Sequence, residues 1–254
     1  MITFEKFTKI FVITSMIILG CIAVFNYWID PADIFNNKKV DAAVNYLVNG
    51  QPVTGLTNFD ERKFKKELLL NSLKTETIVL GSSRAMGIIT DFDKDNNSFG
   101  NYSVSGANFN DDIALLAVYF NKNQKVPKKV VLAVEPWALN KHRGDTRWKS
   151  LEKEYYEGLK LLKFNGEKIK EIDAYRYTFD KIKTLFSISY LRNSFKDFNK
   201  EENMPKAVLQ DYDKTSIILP DGSIRYGNNV NHLPLKKISQ NAENYIANKK
   251  HLSA

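Results

Sequence analysis

A charge-free run near the amino terminus constrains this chain more than any other feature. Residues Ile10–Trp28 read IFVITSMIILGCIAVFNYW and include no charged side chain. At about 1.5 Å of rise per residue, a helix of this length nearly matches the ~30 Å hydrocarbon core of a bilayer. Lys6 and Lys9 precede the run, and Asp30 and Asp33 follow it. We therefore predict a membrane anchor with a cytoplasmic amino terminus and an extracytoplasmic main domain.

Two alternatives to an anchor are a cleaved signal peptide and a buried core helix. The run is longer than a signal-peptide apolar region of about 7–15 residues, and no small-residue cleavage pattern follows it. Its apolarity on all sides and its terminal position disfavour a core helix. We expect a single-pass protein of the cell membrane, with its anchor over residues 1–29 and a connector with a lead-in helix over residues 30–74.

The composition excludes several classes of function. The chain has 254 residues and a formal charge of +8, but its lysines are interleaved with acidic residues and form no basic block. Nucleic acid is therefore not an expected partner. The single cysteine, Cys21, excludes an internal disulfide and a cysteine-based zinc site, and three histidines offer little for a metal centre. We expect neither a metal nor a cofactor.

Three short apolar stretches follow a helical pattern that begins at Asp60, a candidate cap, and ends near Ser72. The stretches are TETIVLGSS at residues 75–83, FGNYSVSG at Phe99–Gly106 and KKVVLAVEP at Lys128–Pro136. A further helical pattern at Asp111–Asn121, with Asn110 or Asp111 as its cap, separates the last two. Alternation of strand and helix at this spacing is typical of a parallel α/β sheet.

We accordingly predict an α/β domain over residues 75–254. Its expected form is a flavodoxin-like parallel sheet with flanking helices. Charged and aromatic patterns predict a helical insertion over residues 141–205. Because a doubly wound sheet has about five strands and three are evident, we expect the domain to continue beyond Ala254.

Polar residues stand at the carboxyl ends of all three predicted strands. Ser83 follows the first strand, Gly106 the second, and Glu135 and Trp137 the third. Parallel sheets place their ligands at this edge. A serine at a helix start can alternatively be a simple cap, and the glycine can serve only the geometry of a turn. Together the three strand ends predict a cleft.

The order of these features resembles the SGNH/GDSL hydrolase-like superfamily. The resemblance covers residues 1–140 and is carried by the anchor and by GSSR, SVSGAN and VVLAVEPW. It is closest to the membrane-anchored branch associated with acylation of cell-surface polymers, such as the alginate O-acetylation and D-alanyl-teichoic-acid transfer proteins. It implies that Ser83 is a nucleophile and Gly106 an oxyanion-hole donor. Asn140 is the nearest match to the family's third-block asparagine, without the Gly-x-Asn pattern.

The resemblance also implies a carboxyl-terminal Asp-x-x-His block, which this sequence lacks. None of the three histidines, His142, His232 and His251, has an aspartate three residues before it. A serine hydroxyl needs a base within hydrogen-bonding reach to act as a nucleophile near neutral pH. Three explanations are open. The block lies beyond Ala254, which we favour, or His232 or His142 is a substitute base, or the protein is a non-catalytic relative.

Cations and aromatic residues near the predicted cleft are candidates for substrate binding. Arg84 directly follows Ser83 and can hold an anionic group or a carboxylate of the fold. Trp137 and Arg143 belong to a longer cluster with His142, Arg147 and Trp148. Aromatic rings stack on sugars and arginines pair with phosphate or carboxylate, which suits an anionic glycan or teichoic acid. Alternatively, the tryptophans anchor the insertion in the core.

The expected function is a membrane-tethered extracytoplasmic esterase or acyltransferase that acts on acyl groups of a cell-surface polysaccharide or teichoic-acid-like polymer. The alternative is a catalytically inactive accessory protein. Such a protein would bind a glycan or a partner membrane-bound acyltransferase.

Overall fold

The computed structural model describes residues 3–89, 98–140, 146–163, 174–198, 204–208 and 215–227. Helix α1 (Phe4–Ile29) begins at Thr3, which accepts a hydrogen bond from the backbone of Lys6, and contains the predicted apolar run. It is the one helix in these ranges that is long and apolar enough to cross a membrane, and its most apolar window is not buried against the protein. The prediction of one amino-terminal apolar helix is therefore confirmed.

The centre of the domain is a parallel sheet of three strands. Strand β2 (Thr77–Gly81) is buried throughout and lies between β3 (Phe99–Asn101) and β4 (Lys129–Ala133). Both neighbours are parallel to β2, with Thr77 opposite Phe99 on one side and opposite Lys129 on the other. The predicted α/β class and the parallel sheet are confirmed, whereas a complete flavodoxin-like sheet is not.

Two predicted strands differ in detail from the structure. Pairing of β3 ends at Asn101, five residues earlier than predicted, because the chain then forms single hydrogen bonds from Tyr102 and Val104 to β2. In the described residues β4 is an edge strand of the sheet, and its residues Val130 and Leu132 are each 43% exposed. The unbroken apolar run at β4 thus lies on a strand that is covered less than β2.

Helices α2 (Lys38–Val48), α3 (Glu61–Asn71) and α4 (Phe109–Asn123) contribute to the main core. As predicted, Asp60 caps α3. Its side chain accepts hydrogen bonds from the backbone nitrogens of Arg62 and Lys63. The cap of α4 is Asn108 rather than Asn110 or Asp111. Asn108 and Asp111 form a reciprocal capping box, which is why the helix starts two residues before the predicted position.

A second sheet was not predicted as a sheet. In the described residues it has four strands of two residues each, namely β1 (Val53–Thr54), β5 (Lys206–Ala207), β6 (Ile217–Ile218) and β7 (Ile224–Arg225). Their order is β5–β1–β6–β7, and neighbouring strands are antiparallel. One part has a local signal, because the segment DGSIRYG at Asp221–Gly227 predicts a turn with a short strand, and the turn before β7 and β7 itself lie there. Strands this short carry almost no periodic signal in a sequence.

Buried Lys65 joins the two sheets. Its ammonium group donates hydrogen bonds to the carbonyl of Asn101, at 3.0 Å, and to the carbonyl of Gly222 in the β6–β7 turn. Burial lowers the pKa of Lys65 to about 8, against the smaller opposing effects of Glu61 and Asp221. The end of β3 and the small sheet are therefore held together by one lysine from α3.

The remaining helices are α5 (Glu152–Leu161), α6 (Ala174–Thr184) and α7 (Ile188–Phe198). Helix α5 packs along α4, where Gly158 allows close contact because a β-carbon there would lie 2.6 Å from Ile113. Helix α7 packs against the end of α1. The Lys- and Asn-rich segment Leu235–Lys250, for which the sequence predicts a helix, lies outside the described residues.

The side chain of Asp112 predicts a pH dependence of stability. It is buried in the first turn of α4, and burial, followed by the charge of Asp111, raises its pKa from 3.8 to about 7. The folded protein thus binds a proton that the unfolded chain releases, so this group's contribution to stability falls as the pH rises from about 4 to about 7. We expect Asp112→Asn to raise the thermal midpoint more at pH 8 than at pH 5.

The exposed Asp41, in the first turn of α2, provides a matched control. We expect Asp41→Asn to change the midpoint similarly at the two pH values, as measured by thermal unfolding of the full chain in detergent. Equal effects of Asp112→Asn at both values would contradict the prediction.

Candidate functional site

The candidate site lies where β2 and β4 end side by side. Gly81, the last residue of β2, is paired with Ala133 of β4. Its φ of 136° is a conformation that favours glycine, and a β-carbon there would lie 2.7 Å from the carbonyl oxygen of Ala133. Only glycine lets the two strands stay this close at their carboxyl ends, and the next residues of both strands are thereby brought together.

A carboxylate connects the two strand ends. Glu135, two residues after β4, accepts a hydrogen bond from the Ser82 hydroxyl through Oε1, at 2.8 Å. Its other oxygen, Oε2, pairs with Nη1 of Arg84, also at 2.8 Å. The side chains of Ser82 and Glu135 are buried, whereas that of Arg84 is 72% exposed. Glu135 therefore fixes the turn after β2, and Arg84 has a carboxylate partner within the fold.

Trp137 lies on the outer side of this network. The guanidinium carbon of Arg84 lies 5.2 Å from the centre of the Trp137 ring, within the range of a cation–π contact. Trp137 belongs to a short 3-10 helix (Pro136–Leu139) and is half-buried. Two residues that the sequence analysis selected separately, Arg84 and Trp137, thus form one cationic and aromatic surface next to the strand ends.

Ser83, the predicted nucleophile, is exposed at the start of the turn that follows β2. Its carbonyl oxygen accepts a 3.5 Å hydrogen bond from the hydroxyl of Tyr226. Within the described ranges, no group forms a hydrogen bond with the Ser83 side chain. The adjacent Ser82 differs in exposure and in hydrogen bonding, since its side chain is buried and donates a hydrogen bond to Glu135. Of this pair, only Ser83 is therefore accessible to a large substrate.

The loop after β3 is held in place by the start of α3. The carboxylate of Glu61 accepts hydrogen bonds from the Ser105 backbone nitrogen at 2.6 Å and from the Ser105 hydroxyl at 2.8 Å. Arg62 donates to the Ser105 carbonyl at 3.3 Å and forms a buried bidentate pair with Asp111. The next residue, Gly106, has a φ of 58°, which favours glycine. The role of Gly106 as an oxyanion donor stays a prediction.

A buried hydroxyl lies in the same loop. Ser103 is fully buried, and its Oγ has no hydrogen-bond partner in the described residues. Its backbone nitrogen donates to the side chain of Asn101, and the next residue, Val104, donates to the carbonyl of Gly81. Ser103 therefore belongs to the chain segment that passes alongside the end of β2.

The other predicted residues are not all gathered at this edge. Asn140 is exposed directly after the short 3-10 helix, and its backbone nitrogen donates to the carbonyl of Trp137. Arg143 and His232, with the other two histidines, lie outside the described residues. The structure thus brings Ser83, Arg84 and Trp137 together. The histidines that are candidates for the general base lie outside the described residues. In the described ranges, no group of three potential metal ligands occurs.

Sequence reasoning missed the network that shapes the site. Glu135 was noted only as a polar strand end, and Ser82 and Glu61 received no role. A signal for Glu135 was present, because an acidic residue directly after an apolar strand requires a partner if it is buried. No local pattern could have identified Glu61, since its contact with Ser105 joins residues that are 44 positions apart.

The geometry predicts unequal effects of two substitutions at Glu135. Glu135→Ala leaves the buried Ser82 hydroxyl without an acceptor, and we expect it to lower the free energy of unfolding by about 1–3 kcal/mol. Glu135→Gln retains an oxygen that can accept from Ser82, so we expect a clearly smaller loss. Chemical denaturation of both variants in detergent measures the difference. Equal losses would mean that the Ser82–Glu135 hydrogen bond does not stabilise the turn.

Comparisons of the chain with known protein families, curated proteins and solved structures find no match. Membership of a family therefore does not supply a function for these residues. What the site can do is inferred from its own geometry.

Proposed function

We propose that this protein is a membrane-tethered, extracytoplasmic esterase or acyltransferase of the SGNH type, with Ser83 as its nucleophile. The observation that carries the proposal is the placement of Ser83. Its exposed hydroxyl follows the central strand of a parallel sheet, while the buried Ser82–Glu135 contact fixes the backbone beside it. The proposed substrates are acyl groups on a cell-surface polysaccharide or teichoic-acid-like polymer.

The order of the strands supports this assignment. Of the three strands in the parallel sheet, β2 is the first along the chain, β3 the second and β4 the third. In the sheet, however, β2 lies between the other two. This order matches the start of a flavodoxin-like sheet, 2-1-3, in which ligands bind outside the carboxyl ends at the switch point between the first and third strands. Ser82, Ser83 and Glu135 lie at that point.

The proposed reaction is acyl transfer through a covalent intermediate. A base takes the proton of the Ser83 hydroxyl as the Ser83 oxygen forms a bond to the acyl carbonyl, and the ester bond breaks as the leaving oxygen receives that proton from the base. Backbone N–H groups of Gly106 and of the turn at Ser83 stabilise the tetrahedral oxyanion. Water or a second hydroxyl then accepts the acyl group. The base remains a prediction, with His232 as its candidate in this chain.

The end of α1 favours a permanent anchor over a cleaved signal peptide. Asn26 is fully buried, donates to the carbonyl of Leu185 at 2.7 Å and accepts from the hydroxyl of Ser194 at 2.7 Å. Removing α1 would leave the Ser194 hydroxyl and the Leu185 carbonyl without this partner. A domain that uses the helix in its own packing is expected to keep it, and the tether would hold the site near a polymer at the membrane surface.

A specific observation favours one alternative. Arg84 is held by Glu135 and lies against Trp137, which forms a preorganised cationic and aromatic surface. Such a surface can bind an anionic glycan without any reaction. The alternative function is therefore a catalytically inactive accessory protein that binds a glycan or a membrane-bound acyltransferase.

A fluorophosphonate probe tests the nucleophile. We expect it to label the full-length protein in membranes, and we expect Ser83→Ala to abolish labelling and to lower ester hydrolysis by about 10³-fold or more. The comparison variant is Ser82→Ala, which removes the neighbouring hydroxyl and its contact with Glu135, so we expect it to slow labelling while the label stays on Ser83. Labelled peptides identified by mass spectrometry provide the measurement.

The absence of labelling in the folded wild-type protein would contradict the enzymatic proposal and favour the accessory function. In that case glycan binding should survive Ser83→Ala and be weakened by Trp137→Ala. If mass spectrometry located the label on Ser82 in the wild-type protein, Ser83 would lose its assigned role.

A further inference from the structure

Helices α6 and α7 present a contiguous apolar surface next to the end of the membrane helix. Six large hydrophobic side chains on these helices and their connection are at least 46% exposed, and we call them the hairpin face. They are Phe179, Ile182, Phe186, Ile188, Phe195 and Phe198. Exposed apolar patches of this kind mark contact with a protein or a membrane.

The spacing of these residues places them on one side of each helix. On α7, Ile188, Phe195 and Phe198 are seven and then three residues apart, which places them along one stripe of the helix, whereas Tyr190 and Ser194 are buried. On α6, Asp180 and Lys181 line a cavity toward the domain, whereas Phe179 and Ile182 are exposed. Both helices are therefore amphipathic, because each exposes an apolar stripe and directs other residues toward the protein.

The hairpin face is continuous with α1. The ring of Phe25 lies 5.1 Å from that of Phe195 and 5.8 Å from that of Phe198, and Trp28 lies 6.4 Å from Phe198. The hydrogen bonds of Asn26 to Leu185 and Ser194 fix this contact. The position of the hairpin along α1 is thus determined by aromatic packing and by the two hydrogen bonds of the buried Asn26 side chain.

The length of α1 sets the depth of this junction in a bilayer. A hydrocarbon core of ~30 Å corresponds to about 20 helical residues. If the core begins after Lys9, it ends near Ile29. Phe25 then lies within about 6 Å of that boundary. The phenylalanines of α7 that contact Phe25 lie at the same level, where an amphipathic helix enters the interface of a membrane.

We propose that the hairpin face lies in the interface of the same bilayer that α1 crosses, so that the domain contacts lipid in addition to being tethered. The exposed side chains of Lys183, Arg192 and Lys196 on these two short helices are suited to lipid headgroups. This inference rests on the membrane anchoring that the proposed function includes.

The contact also orients the site. A cavity of about 490 Å³ is lined by Asp180 and Lys181 of α6, by Glu61 and Arg62 at the start of α3, and by Ser105 after β3. Ser105 is at the carboxyl edge of the parallel sheet. The hairpin and the candidate site thus lie on the same side of the domain, and a lipid-bound hairpin holds the site close to the membrane surface.

Nitroxide labels on single cysteines test this contact in the full-length protein, reconstituted in nanodiscs of phosphatidylcholine and phosphatidylglycerol. The test position is Ile188→Cys, with Cys21 replaced by serine. The matched control is Leu73→Cys in the same background. Leu73 is apolar and 87% exposed, compared with 80% for Ile188, but lies beyond the end of α3 that points away from the hairpin. Native Cys21, in the span of α1, reports insertion of the anchor.

We expect the label at position 188 to collide with a water-soluble nickel complex several-fold less often than the label at position 73, and with oxygen more often. If position 188 behaves like position 73 while Cys21 is protected, the hairpin proposal is wrong and the anchor stands. If Cys21 is also accessible, the anchoring is wrong. Protection of position 188 with strong dipolar coupling between labels would instead indicate a second copy on this face and overturn the proposal.

Discussion

The buried pair between Arg62 and Asp111 is the interaction on which the geometry of the site depends. The side chain of Arg62 is 5% exposed and that of Asp111 is not exposed at all, and two hydrogen bonds of 2.7 and 3.1 Å join them. Removing one partner of such a pair leaves a buried charge uncompensated, at a cost of about 3–5 kcal/mol. The pair connects the first turns of α3 and α4, and its arginine also holds the loop that contains Gly106.

Two other polar contacts determine how the remaining elements meet. Glu135 joins the ends of β2 and β4 through Ser82, and Lys65 joins the end of β3 to the small antiparallel sheet. Each is a charged side chain whose partners lie far away in the sequence. Burial makes these contacts specific, because an unmade hydrogen bond in the interior costs more than a made one contributes. The edge of the sheet is therefore shaped by polar residues, while the apolar core determines only its general position.

The parts of the fold that could be predicted are those with a local pattern. The charge-free run predicts α1, and the continuous apolar segment at Ile78–Leu80 predicts β2. Asp60 predicts the start of α3, and all three elements are present in the structure. The cap of α4 was misplaced by two or three residues because the capping box depends on Asn108 and Asp111 together. The small sheet could not be predicted, since two-residue strands have no periodicity and depend entirely on distant pairing.

The sequence by itself determined the apolar helix, the α/β class and the placement of Ser83 at a strand end, because composition and periodicity along the chain are sufficient for each. Only the tertiary structure decided that Ser82 is buried and Ser83 exposed, that Arg84 pairs with Glu135 and lies on Trp137, and that α7 packs against the end of α1. The physical reason is that these properties depend on contacts between residues 50 or more positions apart, such as the 168 positions between Asn26 and Ser194. Burial and pairing at that separation are set by how the elements pack, and a local pattern does not contain that information.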